Sequence, residues 1–190
     1  MENNKRYLKF YFPSSLGGEI ITIKIRKIDI SISRIKNKLK EKGITLLDVV
    51  DINEIRDFEN KYNVTLPEEM VLFYTMISNG CEMIDGFQLR AFEDWKYDDE
   101  LISKEFPFEK YYILEEDDNF EINHIEYGNI ELIDIGDAQT WNVIINGKEQ
   151  GNMWFFTDVG IQPAAPRLNF LEWFEFWLDG GEDYFKEFVM

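Results

Sequence analysis

Through Ile21, Ile23 and Ile25, apolar side chains alternate with Thr22, Lys24 and Arg26, the period of a strand with one wet face. The run YLKFYF at residues 7–12 precedes it across the turn-rich PSSLGG, so the chain is expected to open with a hairpin. From Ser31 the period changes. Ile32, Ile35 and Leu39 share one helical face, Lys and Arg occupy the others, and Gly43 is placed to end a basic amphipathic helix in a left-handed conformation. A second helix follows, with Asp51 at the N-cap, Ile55, Phe58 and Tyr62 as its apolar stripe, and its end near Asn63.

The segment VTLPEEMVLFYTMISNG predicts a core helix. Thr65 and Glu68 have capping-box spacing, Pro67 falls in the first turn, Asn79-Gly80 offers a C-terminal cap, and Met70, Phe73, Tyr74 and Ile77 form the stripe. Beyond Gly80 the pattern turns to short β-runs, at Phe87–Phe92, Tyr111–Leu114, Ile122–Ile125 and Ile130–Ile135. In TWNVIINGKEQGNMWFF, Asn146-Gly147 lies between two further β-runs and predicts a hairpin. A final helix opens at Asn169 with Glu172 in capping-box position and sets Phe170, Trp173, Phe174, Trp177 and Leu178 on one face. Gly180-Gly181 stops it, and EDYFKEFVM is expected to add a turn or two.

These elements predict an α+β fold: an antiparallel sheet of about five or six strands packed with helices, preceded by the N-terminal hairpin and helix. Residues 1–50 are expected to form an N-terminal hairpin and basic helix packed on a main domain of residues 51–190.

Charge changes this picture from fold to function. Residues 1–50 hold eleven Lys/Arg against five Asp/Glu, whereas residues 51–190 hold nine against thirty-two, which leaves the body of the protein at −23 and the whole chain at −17. Such a surface repels phosphates and anionic membranes and attracts basic proteins or cations. Direct binding of nucleic acid or membrane is therefore disfavoured. No run approaches the ~20 apolar residues of a membrane span, the N-terminus lacks a signal-peptide core, and the single cysteine cannot form an internal disulfide, so a cytoplasmic location is expected.

Candidate chemistry is sparse. His124 and Cys81 are the only residues of their kinds, so a Cys/His dyad would have to be built from those two. Glu115-Glu116-Asp117-Asp118 lacks the spacing and central glycine of a calcium loop, and there is no zinc pattern or phosphate-binding glycine loop. No catalytic residue, metal site or cofactor is expected. Carboxylates read better as surface. In FEDWKYDDE, Trp95 and Tyr97 stand among Asp94, Asp98 and Asp99, a pairing of apolar anchors with acids that suits a basic protein partner. The expected partner-binding residues are Asp94, Trp95, Tyr97, Asp98 and Asp99, with Glu115, Glu116, Asp117 and Asp118.

Several segments taken in order resemble the SUKH superfamily, the Smi/Knr-type immunity and regulatory proteins. Leu66-Pro67 opening a helix before Asn79-Gly80, Ile135-Gly136 leading to a hairpin and Gly151-x-x-Trp154, and the helix from Phe170 to Leu178 carry the resemblance over roughly residues 50–180. It implies an α+β domain without catalysis that binds and neutralises a cognate toxin, commonly a basic nuclease. The alternative it implies is an interaction scaffold or regulatory module of the same fold. It also implies that Leu66, Pro67, Gly80, Gly136, Gly151 and Trp154 serve the scaffold before they serve binding.

Overall fold

The computed structural model describes residues 6–12, 19–25, 27–83, 86–114 and 122–180. The opening hairpin pairs β1 (Arg6–Phe12) with β2 (Glu19–Ile25) in antiparallel register. Then come α1 (Lys27–Glu41), α2 (Ile52–Tyr62) and α3 (Glu68–Met76). A two-stranded ribbon, β3 (Cys81–Glu82) with β4 (Gln88–Leu89), leads to the main sheet. That sheet contains β5 (Tyr112–Ile113), β6 (Asn129–Gly136), β7 (Gln139–Ile144), β8 (Met153–Thr157) and β9 (Gly160–Pro163), in spatial order β5-β9-β8-β7-β6 and antiparallel throughout. Helix α4 (Phe170–Gly180) follows it. The architecture is α+β, as the alternation of periods predicts.

The stripes read from the sequence are the surfaces that pack. Ile32, Ile35 and Leu39 of α1, Met70, Phe73 and Tyr74 of α3, and Phe170, Trp173, Phe174, Trp177 and Leu178 of α4 are buried in one core. Trp141, Val143, Met153 and Phe155 of the sheet close the same core from the other side. A smaller cluster of Phe106, Ile144, Trp154 and Ile161 covers part of the sheet's opposite face. Arg34 and Lys38 on α1 pair with Glu175 on α4, and Lys38 also reaches Asp179 at 2.7 Å.

Helix ends follow local chemistry in some places and tertiary demands in others. Asp51 caps α2 by accepting from the Asn53 N–H at 2.8 Å, and Asn63 ends it at φ 53°. Asn169 caps α4 through the Glu172 N–H at 2.9 Å. The expected Thr65 cap does not form. Helix α3 begins after Pro67, and the preceding Leu66 N–H is satisfied at 2.7 Å by the Glu59 carboxylate of α2. Nor does α3 reach Asn79-Gly80, since it stops at Met76. Gly80 instead lets another strand pass, because a Cβ there would lie 2.5 Å from the Leu89 carbonyl oxygen.

Two β expectations also change. Residues Ile122–Glu126 form a 3₁₀ helix, so Ile122–Ile125 is not a strand. The tight two-residue turn is Asp137-Ala138, both with positive φ, between the paired Gly136 and Gln139. The hairpin expected around Asn146-Gly147 forms, β7 pairing antiparallel with β8, but its connection is longer than two residues, and Gly147 is held there because a Cβ would meet the Phe106 carbonyl oxygen at 2.8 Å. The C-terminal EDYFKEFVM and the acids Glu115, Glu116, Asp117 and Asp118 fall outside the described residues.

Candidate functional site

The sheet face turned away from the helices is divided in two. Its rows run Glu131–Asn142–Trp154 and Asp134–Thr140–Phe156–Ile161–Tyr112 across the strands. On the β9 side these residues are apolar and lie under Phe106 and Phe108. On the β6 side they are polar and stay open, forming a depression of about 390 Å³. Glu131, Thr140 and Asn142 make its floor with Phe156, and Tyr97, Asp98 and Glu126 stand at its walls.

The floor is rigid. Asn142 donates to Asn129 at 2.8 Å, Asn129 donates to the Ile125 and Tyr127 carbonyls, and Thr140 donates to Asn142 at 2.7 Å. Both asparagines are buried, and a buried amide with all its partners fixed holds its neighbours in register. Glu131 is neutralised in place, since Arg90 pairs with it closely and Lys96 lies at 3.8 Å.

The wall is the acidic segment 94–100. Lys96 bridges to the edge of β6, accepting from the Glu131 N–H at 2.9 Å, so this stretch docks on the sheet like a one-residue sixth strand. Before it, the Phe92 N–H donates to Asn79 at 2.7 Å, and Asn79 donates to Glu93 at 2.9 Å, which holds the Glu93 carboxyl below its ordinary range. After it, Asp98 accepts from the N–H groups of Glu100 and Leu101, a turn its short side chain closes by itself. Tyr97 donates to the Tyr62 hydroxyl at 3.1 Å, and Tyr62 donates to Asp99 at 2.7 Å. Burial, and after it the Tyr62 contact, pushes the Tyr97 phenol up, so it stays protonated and remains a donor.

Of the residues expected to meet a partner, Asp94, Asp98 and Asp99 are exposed and Tyr97 is half-buried at the depression. Trp95 is a correction. It is 6 % exposed and lies edge-on to Tyr74 at 4.9 Å, Phe92 at 4.8 Å and Phe58 at 5.7 Å. Its ring faces the core while the acids beside it face water, so it cannot serve as an exposed anchor. Glu126, Glu131, Thr140 and Asn142 were not singled out from the sequence. A polar residue inside an otherwise apolar strand, as in Ile130-Glu131-Leu132 and Trp141-Asn142-Val143, is the pattern that could have revealed two of them.

Neither the cysteine nor the histidine of the sequence lines the depression. Cys81 is buried, and desolvation pushes its thiol up to about 12, so it carries almost no thiolate at neutral pH. His124 sits in the 3₁₀ helix, edge-on to Tyr127 at 4.8 Å. Among the described residues no group of three or more His, Cys, Asp or Glu is placed to hold a metal ion, and no helix is long and apolar enough to cross a membrane.

Residues 50–179 match the model of the SMI1 / KNR4 family (SUKH-1). No curated protein and no solved structure matches the chain. The matched region runs from the residue before the α2 cap to the end of α4, and so contains the sheet and the whole depression.

Proposed function

The chain belongs to the SMI1 / KNR4 family (SUKH-1), and from that premise we propose that it is a non-catalytic immunity protein that binds a cognate toxin in the cytoplasm. The toxin domain is a basic nuclease, and the contact is the acidic wall with the depression behind it. The observation that carries this reading is the row Asp94, Asp98, Asp99 and Glu100, all exposed on a segment clamped to β6 and α2. Asp98, held by its own turn, lines the shallow polar recess and Asp99 is held by Tyr62; carboxylates fixed in this way suit Lys and Arg side chains, because little ordering is needed when the pairs form. A nuclease needs a cationic groove for phosphates, and an anionic surface can occupy that groove in place of nucleic acid. Glu115, Glu116, Asp117 and Asp118 join this reading on their charge alone.

The test is co-expression with the toxin gene adjacent to its own, scored by survival and by co-purification. The triple variant Asp98→Asn/Asp99→Asn/Glu100→Gln is expected to slow association about tenfold at low salt, with the gap narrowing as salt rises. Cell death with the wild-type protein present, or binding indifferent to salt, removes the reading.

A further inference from the structure

A second recess, sharing no residue with the depression, lies where the end of α2 meets the β7–β8 connection and has a volume of about 440 Å³. Glu59 and Asn60 come from the last turn of α2, Asn63 is its left-handed cap, and Asn146 and Gln150 come from the connection. No Lys or Arg lines it.

Four carboxamides would suit donors and acceptors alike if all were free to turn, but two of them are not. Gln150 donates to the Thr65 carbonyl at 2.8 Å and to the Ile145 carbonyl at 3.0 Å. A carbonyl can only accept, so both amide hydrogens are spent and the oxygen is what Gln150 has left to offer. Asn146 is fixed in the same sense by donating to the Ser103 carbonyl at 2.8 Å, with one hydrogen remaining. Glu59 accepts from the Leu66 N–H through Oε1 at 2.7 Å, which holds the carboxylate in place without neutralising it. The last carbonyls of a helix carry partial negative charge, and α2 ends here. The recess is thus a set of fixed acceptors around one charge, with Asn60 and Asn63 able to present oxygen as well.

Such a lining selects a positively charged ligand with many donors. An ammonium concentrates its donors at one point, whereas a guanidinium spreads them over a planar fork, and acceptors divided between α2 and the β7–β8 connection fit the fork. A free amino acid would bring its own carboxylate to a recess with no cation to receive it, so arginine within a polypeptide fits better than arginine alone. We propose that this recess binds the guanidinium of an arginine side chain carried by a partner polypeptide, with Glu59 as counter-charge and Asn146 and Gln150 as fixed acceptors. The site does not depend on what the acidic wall binds.

Titration of the isotopically labelled full chain with Nα-acetyl-arginine amide, followed through the side-chain amide resonances of Asn146 and Gln150, tests this. Saturation with a dissociation constant of about 1 mM is expected, the scale of one charge-assisted contact by a ligand this small. The citrulline counterpart has nearly the same shape without the charge and should bind at least about tenfold more weakly. Glu59→Gln keeps an acceptor for the Leu66 N–H and should weaken the arginine derivative to the same degree. Asp57→Asn, an equal loss of charge on the same helix but outside the recess, should leave binding unchanged. Unblocked arginine should bind less tightly than the blocked form. No saturation at Asn146 and Gln150 by about 20 mM, equal binding of the citrulline derivative, or equal effects of the two substitutions overturns the inference. Tighter binding of unblocked arginine overturns the polypeptide source and assigns the recess to the amino acid itself.

Discussion

Trp95 shows how far a side chain's neighbours in sequence can mislead about its neighbours in space. Five carboxylates lie within five positions of it, yet its ring closes an aromatic cluster with Phe58, Tyr74 and Phe92. The short 3₁₀ turn at Phe92–Asp94 makes this possible by rotating Trp95 inward while Asp94 stays outside. Trp95→Ala is therefore expected to cost about 3 to 5 kcal/mol, the usual range for removing a buried aromatic ring. Urea unfolding checks it. A loss of toxin binding with an unchanged unfolding midpoint would instead make Trp95 a contact residue. Tyr97 behaves differently because its hydroxyl has somewhere polar to go, and the Tyr97–Tyr62–Asp99 chain ties the acidic wall to α2.

Elements were legible where their ends are chosen locally and illegible where they are chosen by packing. Asp51 and Asn169 could be read as caps because a short acceptor side chain satisfies an N–H within its own turn. Thr65 could not be rejected from sequence, since its rival for the start of α3 is Glu59 on a different helix. Asn79-Gly80 and Asn146-Gly147 are strong local punctuation, but their glycines are required by Leu89 and Phe106, which approach from elsewhere in the chain. The candidate site suffers the same limit: its acidic wall is one contiguous run, while its floor is assembled from β6, β7 and β8. The pairing of α1 with α4 is likewise non-local and has a pH signature. Arg34 hydrogen-bonds Glu175 and, with Lys38, holds its carboxyl below the ordinary 4.5, against the opposing effect of burial. A carboxyl held down in the folded chain stabilises it above pH 4.5 and loses that contribution as pH falls through the lowered value. Glu175→Gln should then cost on the order of 1 kcal/mol at pH 7, with the gap to wild type closing toward pH 3. Unfolding of both proteins at the two pH values measures it, and a gap that persists in acid would assign the effect to packing.

At the scale of the whole molecule, the charge imbalance must act on the fold as well as on any partner. The described acids are only partly compensated. Glu175, Glu131, Glu149 and Glu109 have basic partners, whereas Asp94, Asp98 and Glu100 are exposed within one short segment of the chain. Two carboxylates about 6 Å apart in water repel by roughly 0.7 kcal/mol, and salt screens this with a Debye length that falls from about 30 Å at 0.01 M to about 8 Å at 0.15 M. If the acids are kept for a partner rather than for stability, their mutual repulsion is a standing cost to the isolated chain. That cost should be visible in the protein alone. Raising NaCl from about 10 to 300 mM is expected to raise the melting temperature by about 3 to 6 °C, since 1 to 2 kcal/mol moves a chain of this length by that much. The triple variant Asp98→Asn/Asp99→Asn/Glu100→Gln should start higher at low salt and respond less. A melting temperature indifferent to salt would mean that the carboxylates are balanced where they stand, which would leave an anionic docking surface without its energetic signature.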